Sequence, residues 1–372
     1  MSGGGARAAY QVGVLGAVAR RYPRFRPQII TGVSAGAINA ATLAGFEGDF
    51  PEALGSLRRL WTGLRTEDVF RTDSPSLARI AYRWTRRLSS GGREGRRARG
   101  LVDTTPLQLL LAHHLDPNGN GIEGIERNIE AGRLDAFGLT ATNYATGQAV
   151  TWIEGRDVTA WSRPHRRSEH TRIGVEHIMA SAALPLIFPA VKVGKMWYGD
   201  GGIRLTAPLS PALHLGAQRI LAVTTRYGRT SAEAEEPAVN GYPPPAQIVG
   251  VLMNAIFLDL LDQDATTLRR ITDLTEDISP EQRDGLRPVE LLVIRPSQDL
   301  GKLASEYELE LPTTFRFMMR GLGTRETRSP DWLSMLLFEQ DYLRHLMAIG
   351  EQDALARMDE IGAFLGASTE VS

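Results

Sequence analysis

Gln28-Ile29-Ile30-Thr31-Gly32-Val33-Ser34-Ala35-Gly36-Ala37-Ile38-Asn39-Ala40-Ala41 runs from an apolar, β-forming stretch through a glycine-flanked serine into a run of helical character. That order reads as strand, sharp turn and helix with Ser34 at the apex, the pattern of a nucleophile elbow. A serine on so tight a turn has strained backbone angles, and the flanking Gly32 and Gly36 let the helix pack back on the strand. The hydroxyl then sits at a helix N-terminus, where the positive dipole end favours a developing alkoxide. The motif alone is also compatible with an ordinary strand-to-helix turn, since 38 of the 372 residues are glycine.

Two further stretches bear on the chemistry. Upstream, Ser2-Gly3-Gly4-Gly5-Ala6-Arg7 opens a helix whose apolar residues Val12, Leu15, Val18 and Ala19 recur at helical spacing. Glycines at a helix entrance let backbone N–H groups converge on an anion, either a phosphate or the oxyanion of a tetrahedral acyl intermediate. Dinucleotide binding fits less well: Ala8 holds the last glycine position, no strand precedes the loop, and Gln28 to Gly32 offers no acid for a ribose. Downstream, Trp197-Tyr198-Gly199-Asp200-Gly201-Gly202 places an aspartate between glycines, shortly after Ala180-Ser181-Ala182-Ala183-Leu184-Pro185-Leu186-Ile187-Phe188-Pro189. By itself such an aspartate is a turn residue.

Taken in chain order, the glycine loop, the Gly-Val-Ser-Ala-Gly elbow, the Ser181–Pro189 segment and the Asp-Gly-Gly turn resemble the patatin-like phospholipases, lipid acyl hydrolases with a Ser–Asp dyad. The resemblance spans residues 2 to about 225. It implies Ser34 as nucleophile and Asp200 as proton acceptor, with Gly3, Gly4, Gly5 and Arg7 in the oxyanion loop, Gly32 and Gly36 in the elbow and Gly201 and Gly202 in the turn after the base. A dyad also accounts for the histidines. Of the seven, only His345 comes late enough for a hydrolase triad, and its surroundings read as the polar side of an amphipathic helix. In a dyad the carboxylate takes the serine proton directly and returns it to the departing alcohol, which needs close geometry and shielding from water. An acyl cleft is expected near Ala182, Leu184, Leu186, Ile187 and Phe188.

The resemblance also implies a buried strand ahead of the glycine loop, where this sequence has only Met1 and Ser2. The slot is therefore expected to be filled by an apolar stretch upstream or by another segment.

Alternating helices and strands predict an α/β fold with a mostly parallel central sheet covered on both faces, a three-layer α/β/α arrangement with a helical C-terminal region. Strands are expected at 28–33, 136–142, 148–153, 189–193, 218–225 and 288–294. Helices are expected at 6–21, 35–45, 51–62, 75–88, 104–113 and 121–132. Residues 1–226 form the expected catalytic core, 227–245 a linker or flap, and 246–372 a C-terminal part with one further strand and helices packed on the core. In that part, Ile248 to Leu261 carries an apolar stripe at helical spacing that reads as core. Asp331 to Leu365 reads as two helices parted near Gly350, with Asp331 as N-cap.

The net charge of −1 conceals an asymmetry. Residues 1–230 carry 30 Lys+Arg against 18 Asp+Glu, and residues 231–372 carry 12 against 25. The basic excess concentrates in arginine-rich loops at 79–99 and 156–172, expected either to be solvated or to meet anionic lipid head groups. Aromatic interleaving is missing, which argues against nucleic acid as a partner. No cysteine is present, so disulfides and thiolate metal sites are excluded, and no cofactor or metal is called for. The arginines at 20, 21 and 24 follow the first apolar helix, unlike a signal peptide, so a cytoplasmic protein with peripheral membrane contact is expected. The function expected is serine hydrolysis of lipid esters. The alternative is a catalytically weak membrane- or partner-binding module that retains the fold.

Overall fold

The computed structural model describes residues 1–73, 100–239, 241–257, 259–283, 285–327 and 330–366, with 75, 76, 79, 82, 85, 86 and 89 of the segment between the first two ranges. Most of the arginine group at 79–99 and much of the helix expected at 75–88 therefore lie outside the described residues.

The strands are β1 (Ile29–Val33), β2 (Ala136–Asn143), β3 (Ala149–Gly155), β4 (Ser162–Arg163), β5 (Arg166–His170), β6 (Val191–Val193), β7 (Met196–Asp200), β8 (Arg219–Val223) and β9 (Glu290–Ile294). Seven of them form one sheet in the order β4-β5-β3-β2-β7-β6, with β1 also joined to β2; β8 and β9 pair separately. Helices cover this framework, and the α/β class follows. The sheet is mixed instead of mostly parallel. β2–β3 and β6–β7 are antiparallel, and short turns join them at Tyr144–Gln148 and Gly194–Lys195. Gly194 has φ +57°, a left-handed angle that glycine adopts without steric cost.

β2 carries the geometry that matters for function. All eight of its residues are buried. β3 pairs along one edge, so β1 and β7 must share the other, end to end. β1 runs parallel with Val33 opposite Thr140; β7 runs antiparallel with Asp200 opposite Ala141. The two strands thus finish at adjacent rungs of one ladder.

β4 and β5 were not foreseen, because Ser-Arg and Arg-Arg-Ser-Glu-His show no apolar alternation. They turn part of 156–172 from the expected loop into a charged sheet edge, a composition that discourages edge-to-edge association. Arg156 donates to the Ile129 and Glu130 carbonyls, Arg167 pairs with Glu169, and Arg172 with Glu126.

The first helix, α1 (Ala9–Arg21), follows a 3-10 turn at Gly5–Ala8 and packs along the C-terminal helix Gln340–Ala356. The two backbones nearly touch. A Cβ on Gly13 would stand 2.0 Å from the Met347 carbonyl oxygen, and one on Gly350 would stand 2.2 Å from that of Tyr10. Gly350 is thus a contact point inside an unbroken helix, and the break expected there falls at Arg357. The helix starting at Asp331 takes Pro330 as its N-cap, which frees the Asp331 carboxylate for other partners. β9 pairs with β8, so the C-terminal part completes the sheet structure of the first 226 residues and does not stand apart from it.

Met1 and Ser2 lie between β1 and β8. The Met1 ammonium donates to the Thr31 carbonyl at 2.8 Å, Val33 N–H to the Met1 carbonyl at 3.3 Å, and Ser2 N–H to the Val223 carbonyl at 3.3 Å. These two residues fill one end of the slot where a preceding strand was expected. Beside them a cavity of about 430 Å³ is lined by Ile29 and Thr31 of β1, Ile220 and Ala222 of β8, and Leu15 and Leu365.

Helix Pro245–Phe257 meets the expectation on one side: Met253 is buried and Val249 and Ile256 pack against the core, while Leu252 is exposed, as are Ile248 and Val251 beside it. By length and composition alone, residues 245–276 could cross a membrane, and only 19% of their most apolar window is buried.

Candidate active site

The elbow forms where β1 gives way to the second helix, α2 (Ala35–Gly45). Ser34 has φ +57° and ψ −135°, a conformation that an L-residue holds only when its surroundings impose it. Two contacts impose it here. Ser34 N–H donates to Ser181 Oγ at 3.0 Å, and Ser181 Oγ–H donates in turn to the Thr140 carbonyl at 2.6 Å. Ser181 is thus a wholly buried bracket between the elbow and β2. It was quoted in the sequence only as part of a motif; a serine within an alanine-rich run gives no sign of this duty.

Steric limits explain the elbow glycines. A Cβ on Gly32 would lie 2.5 Å from the Gly36 carbonyl oxygen, and one on Gly36 would lie 2.3 Å from that of Ser2. Helix α2 can therefore sit against β1 and the chain start only with hydrogen at both positions.

Asp200 ends β7 and is fully buried. Its backbone is held by Asp200 N–H to the Ala183 carbonyl at 2.9 Å and by Thr142 Oγ1–H to its own carbonyl at 2.8 Å. Asp200 Oδ1 accepts from Gly202 N–H at 2.9 Å. Gly201 backs onto β2, where a Cβ would stand 2.0 Å from the Thr140 carbonyl oxygen. Oδ2 is buried and makes no well-formed hydrogen bond. The Ser34 hydroxyl nevertheless lies near enough to lower the aspartate's proton affinity, alongside Gly202 N–H. Burial outweighs both and pushes the carboxyl up to about 7. The structure thus brings a strained serine and a carboxylate with a spare oxygen to one buried point, with Ser34 itself 2% exposed.

The glycine loop wraps this point. A Cβ on Gly3 would stand 2.8 Å from Ser34 Cβ and 3.4 Å from Oγ, so the loop backbone passes directly over the Ser34 hydroxyl. Among the described residues, none accepts a hydrogen bond from Gly3 or Gly4 N–H. Gly4 has φ +141° and faces Thr225, whose hydroxyl donates to the Gly3 carbonyl at 2.8 Å. Gly5, at φ +57°, abuts the Met335 carbonyl, where a Cβ would come within 2.1 Å. Arg7 does not reach for the reacting atoms. Its buried guanidinium donates from Nε to Ser334 Oγ at 2.6 Å and forms an ion pair with Asp331, which also accepts from Asn254 at 2.6 Å. Arg7 therefore ties the loop to helix Asp331–Leu336, a link that no local pattern in the sequence announces.

A narrow apolar cavity of about 30 Å³ adjoins Ser34. Of the expected cleft residues, Ala182, Leu184 and Phe188 line it. Leu186 instead projects into solvent at φ +68°, and Ile187 is buried in the core, where its carbonyl accepts from Leu101 and Val102 N–H. The far wall comes from residues not foreseen, Trp61 of the third helix (Phe50–Gly63) and Leu107, Leu110 and Leu111 of helix Thr105–Leu115.

Three histidines are engaged elsewhere. His177 Nδ1 accepts from Gly174 N–H at 3.0 Å, and its ring packs edge-on to Trp152; burial lowers its proton affinity. His214 stacks on Trp161, and His345 bonds the Tyr307 hydroxyl at 2.8 Å.

Comparison with known proteins bears on the family alone. Among curated proteins no match is found. A solved structure, VipD from Legionella pneumophila, aligns with 12% identity and a TM-score of 0.35 over 93% of this chain. The alignment takes in 65% of VipD, so this chain spans less than two thirds of that protein's length. The sequence model described as patatin-like phospholipase matches residues 1–213, a span that holds the glycine loop, the elbow and the Asp-Gly-Gly turn. With more than half its length matched, the chain belongs to the patatin-like phospholipase family.

Proposed function

We propose that this protein cleaves carboxylic ester bonds of lipids, in the manner of a phospholipase A or lysophospholipase, through a Ser34–Asp200 dyad and an acyl-enzyme intermediate. The observation that carries the reading is the meeting of a strained, buried serine with a carboxylate whose Oδ2 has no other partner. In the first step Asp200 removes the Ser34 proton as Oγ attacks the ester carbonyl. The tetrahedral oxyanion is met by the loop N–H groups of Gly3 and Gly4, and collapse expels the alcohol, which takes the proton from Asp200. Water then repeats the sequence on the acyl-enzyme and releases the fatty acid. The apolar side chains beside Ser34 part to admit the substrate's acyl chain, since the cavity they leave is only about 30 Å³, and the arginines of 79–99 and 156–172 add attraction to anionic head groups.

A fluorophosphonate probe tests the reading. Labelling that maps to Ser34, is lost in Ser34→Ala, and is accompanied by release of fatty acid from phospholipid supports it. A folded protein that takes up no label and releases no fatty acid is instead a binding module.

A further inference from the structure

Helix Pro245–Phe257 has the sequence PAQIVGVLMNAIF, with no charged residue in its 13 positions. Its inner face packs on helix Asp331–Leu336. Ala246 and Met253 are buried, Gly250 packs against Asp331 and Trp332, and Asn254 Nδ2 donates to Asp331. The helix also contacts the Gly201–Ile203 turn that follows Asp200. Its outer face is unpartnered yet equally apolar: Ile248, Val251 and Leu252 are exposed by 44, 57 and 53%. Tyr242, just before the helix, is exposed by 90%. Helix Thr313–Gly321, joined to the same end through Ala246 N–H and the Leu322 carbonyl, exposes Phe317 by 80%. A surface helix in a water-soluble setting normally turns charged residues outward. This one does not.

We infer that the outer face of Pro245–Phe257 docks in the plane of a lipid surface, its exposed aliphatic stripe sunk into the boundary between head groups and acyl chains. This inference rests on the lipid-ester reading above. Two observations select a lipid surface over a second copy of the chain. At about 1.5 Å per residue the helix is about 20 Å long and about 10 Å wide, so its face offers on the order of 200 Å². A stable protein interface needs about 800 Å² from each partner, whereas interfacial helices bind through faces of this kind. The helix also touches the turn after Asp200 and the Asp331 carboxylate that holds Arg7, which brings the docked face beside the place where a lipid ester must arrive. By itself Pro245–Phe257, about 20 Å long, is shorter than a hydrocarbon core of about 30 Å, which suits a helix lying in the surface.

The test is sedimentation of the full chain with phosphatidylcholine vesicles, with and without phosphatidylglycerol, in low and high salt. The comparison protein is the exposed-stripe variant Ile248→Ser, Val251→Ser, Leu252→Ser. The inference expects the parent chain to sediment with neutral vesicles even in high salt and the variant to lose about tenfold or more of that binding. It is overturned if the variant binds like the parent, or if the parent binds only phosphatidylglycerol and releases in salt, which assigns the contact to the arginines. It is also overturned if light scattering shows a dimer that the variant dissociates. Melting temperature and fluorophosphonate labelling of both proteins keep the outcomes separate: loss of vesicle binding with labelling intact bears on the helix alone, and absence of labelling in the parent bears on the catalytic reading.

Discussion

Arg7 and Asp331, 324 positions apart in the chain, form a buried ion pair that fastens the glycine loop to a helix outside the family-matched span. Thr225 also holds the loop, through the Gly3 carbonyl, but Gly4 and Gly5 hold positive φ angles and add no side chains, so Arg7 is the loop's link to that helix by a charged side chain. Removing one member of a buried pair leaves the other charge uncompensated, at a cost of about 3–5 kcal/mol. Asp331→Ala is therefore expected to lower the melting temperature and, on the proposed role of the loop N–H groups at the oxyanion, to reduce kcat more than it changes KM. Parallel melts and steady-state kinetics check this. An unchanged kcat in a folded variant would separate the pair from catalysis.

The pH behaviour follows from Asp200. Burial raises its pKa from 3.8 to about 7, and only the ionised form can accept the serine proton. Activity should rise with pH through a midpoint near that value, and Asp200→Asn should lose about 10²–10⁴-fold in kcat. Stability runs the opposite way. Between the two pKa values the folded state holds a proton that the unfolded chain has released, so stability is greatest below the lower one and falls as pH rises through the upper. The loss is on the order of a few kcal/mol. Asp200→Asn should accordingly melt higher than the parent at pH 8, with the gap closing in acid. Melting curves across this range decide it.

Ser181 serves two masters, the Ser34 N–H and the Thr140 carbonyl. Ser181→Ala leaves both groups buried without that partner, at about 1–3 kcal/mol each. We expect a lower melting temperature and slower fluorophosphonate labelling of Ser34, as the elbow relaxes from its strained angles. A rate of labelling equal to the parent's would show that the elbow holds itself.

Leu111 is fully buried on the far wall of the cavity beside Ser34. Leu111→Ala should destabilise by about 2–5 kcal/mol and enlarge the space. Each additional methylene accommodated contributes about 0.8 kcal/mol, so kcat/KM should shift toward longer acyl chains by severalfold. A series of nitrophenyl esters reads this directly.

The parts of the site legible in the sequence are those where short-range sterics leave a mark. Gly32, Ser34 and Gly36 crowd within one turn, and Asp200 precedes two glycines, so each motif is visible in a handful of residues. What joins them is not local. β2 is buried on both faces and its Ala-Phe-Gly-Leu-Thr-Ala-Thr-Asn sequence has no alternation to declare its neighbours, so the end-to-end pairing of β1 and β7 is invisible until the chain folds. The same holds for Arg7, whose partner lies at the far end of the chain. Helix Pro245–Phe257 was legible on one face: helical spacing marks Val249, Met253 and Ile256 for the core, but the equally apolar Ile248, Val251 and Leu252 stay exposed because the fold lays nothing described against them.

β2 acts as a ruler. The end of β1 that carries Ser34 and the end of β7 that carries Asp200 are set by consecutive marks on it, Thr140 for Val33 and Ala141 for Asp200. Inserting or deleting a single residue between those marks would slide one group by about 3.3 Å and turn the strand beyond it to the opposite face. Loops around the sheet can lengthen or shrink freely over evolution, but the middle of this one strand tolerates substitution only, never a change of count.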